Sequence, residues 1–195
     1  MYNALQPGVF ALSGWDLCGM LTLPPSEVSE LLSSGDTRWI NRPAHDLMGT
    51  NPRATKSSAG MPRGRSLYGP LPEQLDDETS FARQLQAILA VRERYGVATS
   101  RQIDIPDVSH RGMLVMVHQL SEPDQLGLTV LNFANEAIAG TVRSEHLVPG
   151  STVTDMFHDD VVATVDDLSS FHVELRPHGG MALLVTPPPA SDEED

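Results

Sequence analysis

Short runs of apolar and β-branched residues, separated by turn residues, dominate the sequence after about residue 100. Turn sequences such as Pro149-Gly150 and His178-Gly179-Gly180 stand between some of these runs. Their spacing is typical of strands that pair with their sequence neighbours in an antiparallel sandwich or barrel. The pattern predicts seven strands, over 114–120, 126–133, 138–142, 152–157, 161–165, 171–175 and 181–186.

An amphipathic helix is predicted just before this strand region. Phe81, Leu85, Ile88 and Tyr95 recur near helical spacing, and Gly96 suits the position after the last turn. The apolar stripe indicates packing against a core rather than a cofactor surface. A shorter helix is predicted over 26–35, with a serine to cap its start and a glycine to end it.

The first residues carry a different pattern. The run Val9–Leu12 is apolar at every position, which predicts a strand from a parallel sheet that is covered on both faces. Partner strands for it are not visible elsewhere in the sequence. From residue 36 to 72 the chain is rich in Pro, Gly, Arg and Ser and poor in periodicity, as in an excursion from a larger body.

The sequence thus changes from helical and irregular patterns to regularly spaced strand patterns, and this change predicts a domain boundary near residue 100. Residues 1–100 are interpreted as an incomplete first domain, and residues 101–187 as an all-β antiparallel sandwich. Residues 188–195 form an acidic, proline-rich tail.

Charge and composition exclude several classes of protein. The formal net charge of −13 over 195 residues argues against a nucleic-acid partner, which requires a basic surface. Cys18 is the single cysteine, so no disulfide forms within the chain, and its apolar neighbours predict a small buried residue rather than a nucleophile. Since the sequence has neither a signal-peptide pattern nor an apolar run of about 20 residues, a cytoplasmic protein without a membrane partner is expected.

Metal and cofactor motifs are missing from the sequence. Seven histidines occur without HxH or HExxH spacing, and no glycine-rich loop precedes a helix in the manner of a phosphate site. The pairs Asp159-Asp160 and Asp166-Asp167 lack the interleaved ligands of a calcium loop, so turns are predicted there. Neither a cofactor nor a metal site is therefore predicted for this chain.

The candidate binding residues are two tryptophans and their polar neighbours. Trp15 and Asp16 follow the first apolar run, and Trp39 and Arg42 lie one short helix later. Aromatic rings that stack on sugar rings, beside acid and guanidinium groups that bind hydroxyls, are typical of carbohydrate subsites. The alternative is a loop in which these side chains only pack against one another.

The same segments carry a resemblance to a known family. The stretch ALQPGVFALSGWDLCGMLTL resembles the region around the eighth barrel strand in the α-amylase superfamily, glycoside hydrolase family 13. The stretches GDTRWINRPAHDLMG and LYGPLPEQLDDETSFARQLQAILAVRERYGVATS are similar to the excursion and last barrel helix of that superfamily's trehalose synthases (maltose α-D-glucosyltransferases). LTVLNFANE and VELRPHGGMALLV are similar to strands of its C-terminal sandwich domain. The implied fold is α+β: the last strand and helix of a (β/α)8 barrel, followed by the antiparallel sandwich.

The resemblance also implies a reaction. Enzymes of the α-amylase superfamily use a nucleophilic Asp, an acid/base Glu and a stabilising Asp on barrel strands four, five and seven. This chain contains none of those motifs. It is therefore expected to be the C-terminal part of an enzyme that interconverts maltose and trehalose by intramolecular transglucosylation, and to be inactive alone. Only Asp16 is carried over, as a residue near the substrate, because Gly14-Trp15-Asp16-Leu17 stands where many relatives have Gly-Asp-Glu.

Two alternatives remain open at this stage. The chain is a stand-alone carbohydrate-binding or interaction module, or it is part of a different α-amylase-family hydrolase or transglucosylase. The resemblance implies maltose- or trehalose-type glucosides as partners of the parent barrel, and calcium only in barrel regions that this chain lacks. Oligomeric state is left undetermined by the sequence.

Overall fold

A computed structural model of the chain describes residues 1–122 and 124–189. Residues 190–195 of the predicted acidic tail, 188–195, therefore lie outside the described residues. Contacts within the chain define two compact units. The sheet unit consists of Met1–Phe10 and Ala87–Asp195, and the inserted unit consists of Ala11–Gln86.

Antiparallel strands make up most of the sheet unit. The strands are β1 (Arg101–Asp104), β2 (Met113–Gln119), β3 (Leu126–Asn132), β4 (Ile138–Arg143), β5 (Thr152–Asp155), β6 (Val161–Thr164), β7 (Ser170–Leu175) and β8 (Gly180–Thr186). Six of them form one sheet in the order β1-β2-β3-β8-β5-β6, and β4 pairs with β7 in a second. The seven predicted strands are confirmed to within two residues at each end, and β1 is additional.

The larger sheet is buried on its inner face by the β4–β7 pair. Residues at alternate positions of β2 and β3, such as Val117 and Val130, share one apolar cluster with Val142 of β4 and Phe171 of β7. Alternation along each strand places these side chains on one face. The prediction of an antiparallel sandwich is therefore confirmed for this part of the chain.

The outer face of the same sheet is covered by two segments from outside it. One is residues 1–10, which we call the N-terminal strap, and the other is the last part of helix α4 (Phe81–Arg94). Leu5 of the strap and Val91 of α4 form a cluster with Leu120, Met156 and Ala182. As a result every residue of β3 is buried.

Arg92 holds the strap in place. Its guanidinium is part of a residue only 8% exposed, and it donates hydrogen bonds to the backbone carbonyls of Ala4, Gln6 and Gly8. A buried cation is costly unless its donors are satisfied, and here backbone oxygens satisfy them. The Gly8 amide in turn donates to the Ala98 carbonyl, with an N···O distance of 2.8 Å.

The prediction of a buried strand over Val9–Leu12 is wrong. None of these four residues is in a strand, and Val9 is 97% exposed. A strand requires a neighbour to accept and donate its backbone hydrogen bonds. Among the described residues no strand pairs with this run, so its apolar side chains remain largely at the surface.

Short helices and loops make up the inserted unit. It contains α1 (Gly14–Cys18), the 3-10 turn η1 (Pro25–Val28), α2 (Ser29–Leu32), the 3-10 turn η2 (Thr37–Asn41) and α3 (Leu71–Asp76), and α4 begins in it. The helix predicted over 26–35 is realised as η1 and α2. The 3-10 turn η3 (Val97–Thr99) follows α4 in the sheet unit.

The long segment of residues 42–66 has little regular structure, and hydrogen bonds from one arginine side chain hold part of it together. The Arg63 guanidinium donates to the carbonyls of Asn51, Pro52 and Ala54, with N···O distances of 3.0, 3.0 and 3.2 Å. Ala44 and Arg63 also form an isolated parallel bridge. Across the part of the chain that the structure describes, no helix has the length and apolar character needed to cross a membrane.

Candidate carbohydrate-binding cleft

Helix α1 begins with a capping box that uses one of the predicted site residues. The Asp16 carboxylate accepts hydrogen bonds from the Ser13 amide at 3.0 Å and from the Ser13 hydroxyl at 2.7 Å. The Ser13 hydroxyl oxygen accepts from the Asp16 amide at 3.3 Å. This reciprocal pattern satisfies backbone donors at the helix start. Asp16 therefore stabilises the turn that carries Trp15.

Trp15 is anchored at its polar edge and open on its surface. The indole Nε1 donates to the Pro43 carbonyl at 2.7 Å, and the ring lies 5.8 Å from the His45 ring, centroid to centroid. The residue is 38% exposed. A ring fixed in this way presents aromatic surface without loss of further side-chain freedom.

Trp15 and Asp16 both line an open cleft of about 400 Å³. Two further aromatic rings in its wall, Tyr68 and Phe81, stack with their centroids 5.0 Å apart and their planes 7° from parallel. The other lining residues are Ser13, Gly19, Met20, Leu21, Thr22, Asn41 and Pro43. Aromatic rings beside a few hydroxyl, amide and carboxylate groups are the mixture that binds a small polar ligand with apolar C–H surfaces.

Trp39 and Arg42, the other two predicted site residues, do not line this cleft. The Arg42 guanidinium lies 4.8 Å above the Trp39 ring, in a cation–π contact. It also lies 3.8 Å from Asp36, whose carboxylate is paired more closely with Arg38 at 2.8 Å. The hydrogen bonds from Arg38 lower the pKa of Asp36 to about 2. These side chains thus form a second, local cluster around η2.

Asn41, which lies between Trp39 and Arg42 in the sequence, lines the cleft, whereas Tyr68 and Phe81 complete it without being predicted as site residues. The sequence does contain signals for two helices of the inserted unit. Ser13-x-x-Asp16 fits the capping box of α1, and Pro72 in the first turn of α3 fits a helix start. Phe81 was assigned to the apolar stripe of α4. Its stacking on Tyr68 depends on a contact between distant parts of the sequence, which periodicity does not encode.

Cys18 lies beside the cleft in a separate cavity of about 150 Å³, where Asp46 and Arg63 are also found. Its predicted burial is confirmed, at 3% exposure. Burial, reinforced by Asp46, raises the pKa of the thiol, which makes it a poor nucleophile. No group of three or more histidine, cysteine or acidic side chains is placed to hold a metal ion among the described residues.

Comparison with known proteins supplies a likeness of fold. No protein-family model matches the sequence, and no curated protein matches it either. Among solved structures, Eubacterium rectale Amy13B superposes with a TM-score of 0.59 at 14% identity, over 95% of this chain and 33% of that one. The α-amylase from Geobacillus thermoleovorans, solved with acarbose, gives 0.48 at 15% identity, over 68% and 27%. An Anoxybacillus α-amylase gives 0.43 at 11% identity, over 57% and 24%.

The chain spans between about a quarter and a third of the length of these structures. At such low identity the likeness concerns the fold and leaves the chemistry to the side chains. The chain is therefore similar in fold, along nearly its whole length, to one third of Eubacterium rectale Amy13B.

Proposed function

We propose that this chain is the C-terminal part of a carbohydrate-active enzyme of the α-amylase superfamily. The observation that carries the proposal is the cleft in which Trp15 faces the same space as the Tyr68–Phe81 stack. The fold likeness to Amy13B supports the proposal, because nearly the whole chain corresponds to about one third of that protein. In this proposal residues 101–187 are the C-terminal sandwich, and residues 1–100 contribute the excursion and the last helix of a (β/α)8 barrel, whose last strand the run Val9–Leu12 does not form here.

The cleft has the surfaces that a glucoside requires. The aromatic faces suit the C–H surfaces of a sugar ring, and Asn41, Ser13 and Thr22 supply groups for its hydroxyls. Trp39 and Arg42 contribute indirectly, because they pack within and beside η2, the turn that carries Asn41. Within the superfamily, the resemblance of the first forty residues favours maltose and trehalose as the ligands of the complete enzyme.

Catalysis requires groups that this cleft does not have. Retaining glycoside chemistry uses two carboxyl groups about 5 to 5.5 Å apart, one as nucleophile and one as acid. Among the residues that the structure describes, Asp16 is the one carboxylate that lines the cleft, and both Ser13 donors already bind it. We therefore propose that the chain forms one wall of a substrate site and leaves bond cleavage to residues outside it.

Tryptophan fluorescence tests the role of the cleft directly, because the chain has two tryptophans in different settings. Titration with maltose should change the emission, with weak affinity on the order of millimolar because one wall alone is present. Trp15→Phe should abolish the change, whereas the matched variant Trp39→Phe should retain it. A response that survives Trp15→Phe and disappears in Trp39→Phe would contradict the assignment of the cleft.

Incubation with maltose tests the proposed absence of chemistry. Chromatography of the reaction should detect neither trehalose nor glucose above a protein-free blank. Formation of either sugar in proportion to protein concentration would show that the chain carries its own catalytic groups.

A binding or interaction module that acts without a barrel is the alternative from a different class. The observation in its favour is that the sheet unit has its larger sheet covered on both faces by its own residues. Such a module should melt cooperatively as a monomer, whereas the proposed enzyme part should expose the apolar run Val9–Leu12 and associate. Calorimetry together with size-exclusion chromatography separates the two. A different hydrolase or transglucosylase of the superfamily would instead differ in which sugar alters the Trp15 emission.

A further inference from the structure

His118 is a buried polar residue that none of the proposed chemistry uses. It lies in β2 at 2% exposure, on the outer face of the larger sheet, between Met116 and Leu120. Among the described residues its ring atom Nε2 has no hydrogen-bond partner. A buried nitrogen without a partner carries a desolvation cost, and that cost grows if the ring takes up a proton.

The ring faces a small cavity that the N-terminal strap helps to close. The cavity measures about 10 Å³, which is room for no more than one water molecule. Leu5 of the strap forms part of the lining, opposite the sheet. The remaining lining residues are Val97, Leu120, Gly127, Leu128, Thr129, Met156 and Ala182, none of which is charged.

We propose that His118 is a proton-sensitive lock for the N-terminal strap: the neutral ring permits Leu5 to cover it, and the protonated ring favours the open strap. With the strap closed, the imidazolium would lie in an apolar cavity without a carboxylate in its lining. With the strap open, water reaches Nε2 and stabilises the charge. The closed and open states thus differ in their affinity for a proton, which is the requirement for a pH-dependent switch.

Charged groups on the surrounding elements do not relieve this cost. The strands β3 and β8 and the turn η3 contain no charged residue. Strand β1, which pairs with β2 and places Gln102 opposite His118, contains Arg101 and Asp104. The Asp104 carboxylate already accepts a hydrogen bond from the Ser144 hydroxyl. The strap contributes the Met1 amine, and α4 contributes Arg92, Glu93 and Arg94. Strand β5 ends with Asp155, and the turn after it contributes His158, Asp159 and Asp160. The Asp159 carboxylate is already paired with Arg94 at 3.0 Å on the surface, and Arg92 adds a second positive charge beneath the strap.

Burial lowers the pKa of His118 below its ordinary value of 6.5, against a smaller opposing effect from the backbone of Gly127. The closed state is therefore fully favoured well above pH 6.5, where the ring is neutral in both states. As the pH falls below 6.5, the open state binds the proton first. The opening equilibrium should then rise by up to about tenfold per pH unit until the pKa of the closed state is reached.

Amide hydrogen exchange of the full 195-residue chain, followed by NMR, tests the lock. The reporters are the Leu5 and Gly8 amides, which bond to the Met1 and Ala98 carbonyls, with Val130 in the sheet core as reference. Between pH 7.5 and 5.5, protection of Leu5 and Gly8 should fall, by up to about tenfold, after correction for intrinsic exchange. Protection of Val130 should change less.

Two variants and one direct titration decide the outcome. His118→Gln should remove the pH dependence of the strap amides, whereas His172→Gln, at an exposed position of β7, should retain it. Should His118→Gln fail to fold, titration of the His118 ring resonances in the unaltered chain decides instead. A His118 pKa at or above 6.5, or strap protection that is constant from pH 7.5 to 5.5, would overturn the proposal.

Discussion

At the scale of single residues, the cleft depends on a glycine that permits close packing of an aromatic ring. Gly19 ends α1 with a φ of 59°, in the left-handed region. A Cβ atom at this position would lie 2.7 Å from two carbon atoms of the Tyr68 ring. Two independent costs, one of backbone and one of packing, therefore oppose any side chain here.

The Gly19→Ala substitution should destabilise the inserted unit by about 2–3 kcal/mol, measured by urea denaturation. Gly35→Ala is the matched control, because its φ of 88° also lies in the left-handed region but nothing stands within 4 Å of the added carbon. Gly35→Ala should cost about 1 kcal/mol. Equal losses for the two variants would mean that the Tyr68 ring moves aside freely.

The residue scale also explains which site residues the sequence predicted. Trp15 and Asp16 were predicted as one motif, and they do line one cleft. Trp39 has the same aromatic side chain as Trp15, but the Arg42 guanidinium covers its ring. Residue type indicates what a side chain can bind, whereas tertiary contacts decide whether its surface is available.

At the scale of elements, strands were predicted well where each apolar run was bounded by turn residues. β1 was missed because Arg101–Asp104 is short and mostly polar, and it pairs only as an edge strand with β2. The strand prediction for Val9–Leu12 failed for the opposite reason. It has the composition of a strand, but strand formation depends on a partner, and composition alone does not supply one.

Arg92 yields a prediction at this scale, because one side chain attaches the strap to α4. Arg92→Met should destabilise the chain by about 2–4 kcal/mol, since three backbone carbonyls, of which that of Ala4 is buried, lose their donor. Arg94→Met on the same helix is the control. Its side chain is 57% exposed and pairs with Asp159 at the surface, so Arg94→Met should lower the free energy of unfolding far less than Arg92→Met in chemical denaturation. Similar losses for both variants would contradict the structural role given to Arg92.

At the scale of the whole molecule, stability depends on covering the outer face of the larger sheet. Leu5, at 2% exposure, is the buried strap residue in the cluster on that face, and Met1 packs against the same cluster. Leu5→Ala should lower the free energy of unfolding by about 2–4 kcal/mol, because it opens a cavity between strap and sheet.

Val9→Ala is the control for Leu5→Ala, since Val9 is 97% exposed only four positions away. It should change the free energy of unfolding by less than about 0.5 kcal/mol in the same urea titration. A loss at Val9 as large as that at Leu5 would show that the whole strap, including its exposed end, is packed.

The strap belongs to a unit whose other residues begin at Ala87. During synthesis the strap residues emerge before Arg92, Met156 and Ala182, which form the surface that the strap binds. Such pairing of distant sequence positions slows folding, because a long loop must close before any contact stabilises it. The strands of the sheet unit can pair before the strap docks, so its docking should be among the last steps of folding and its release among the first steps of unfolding.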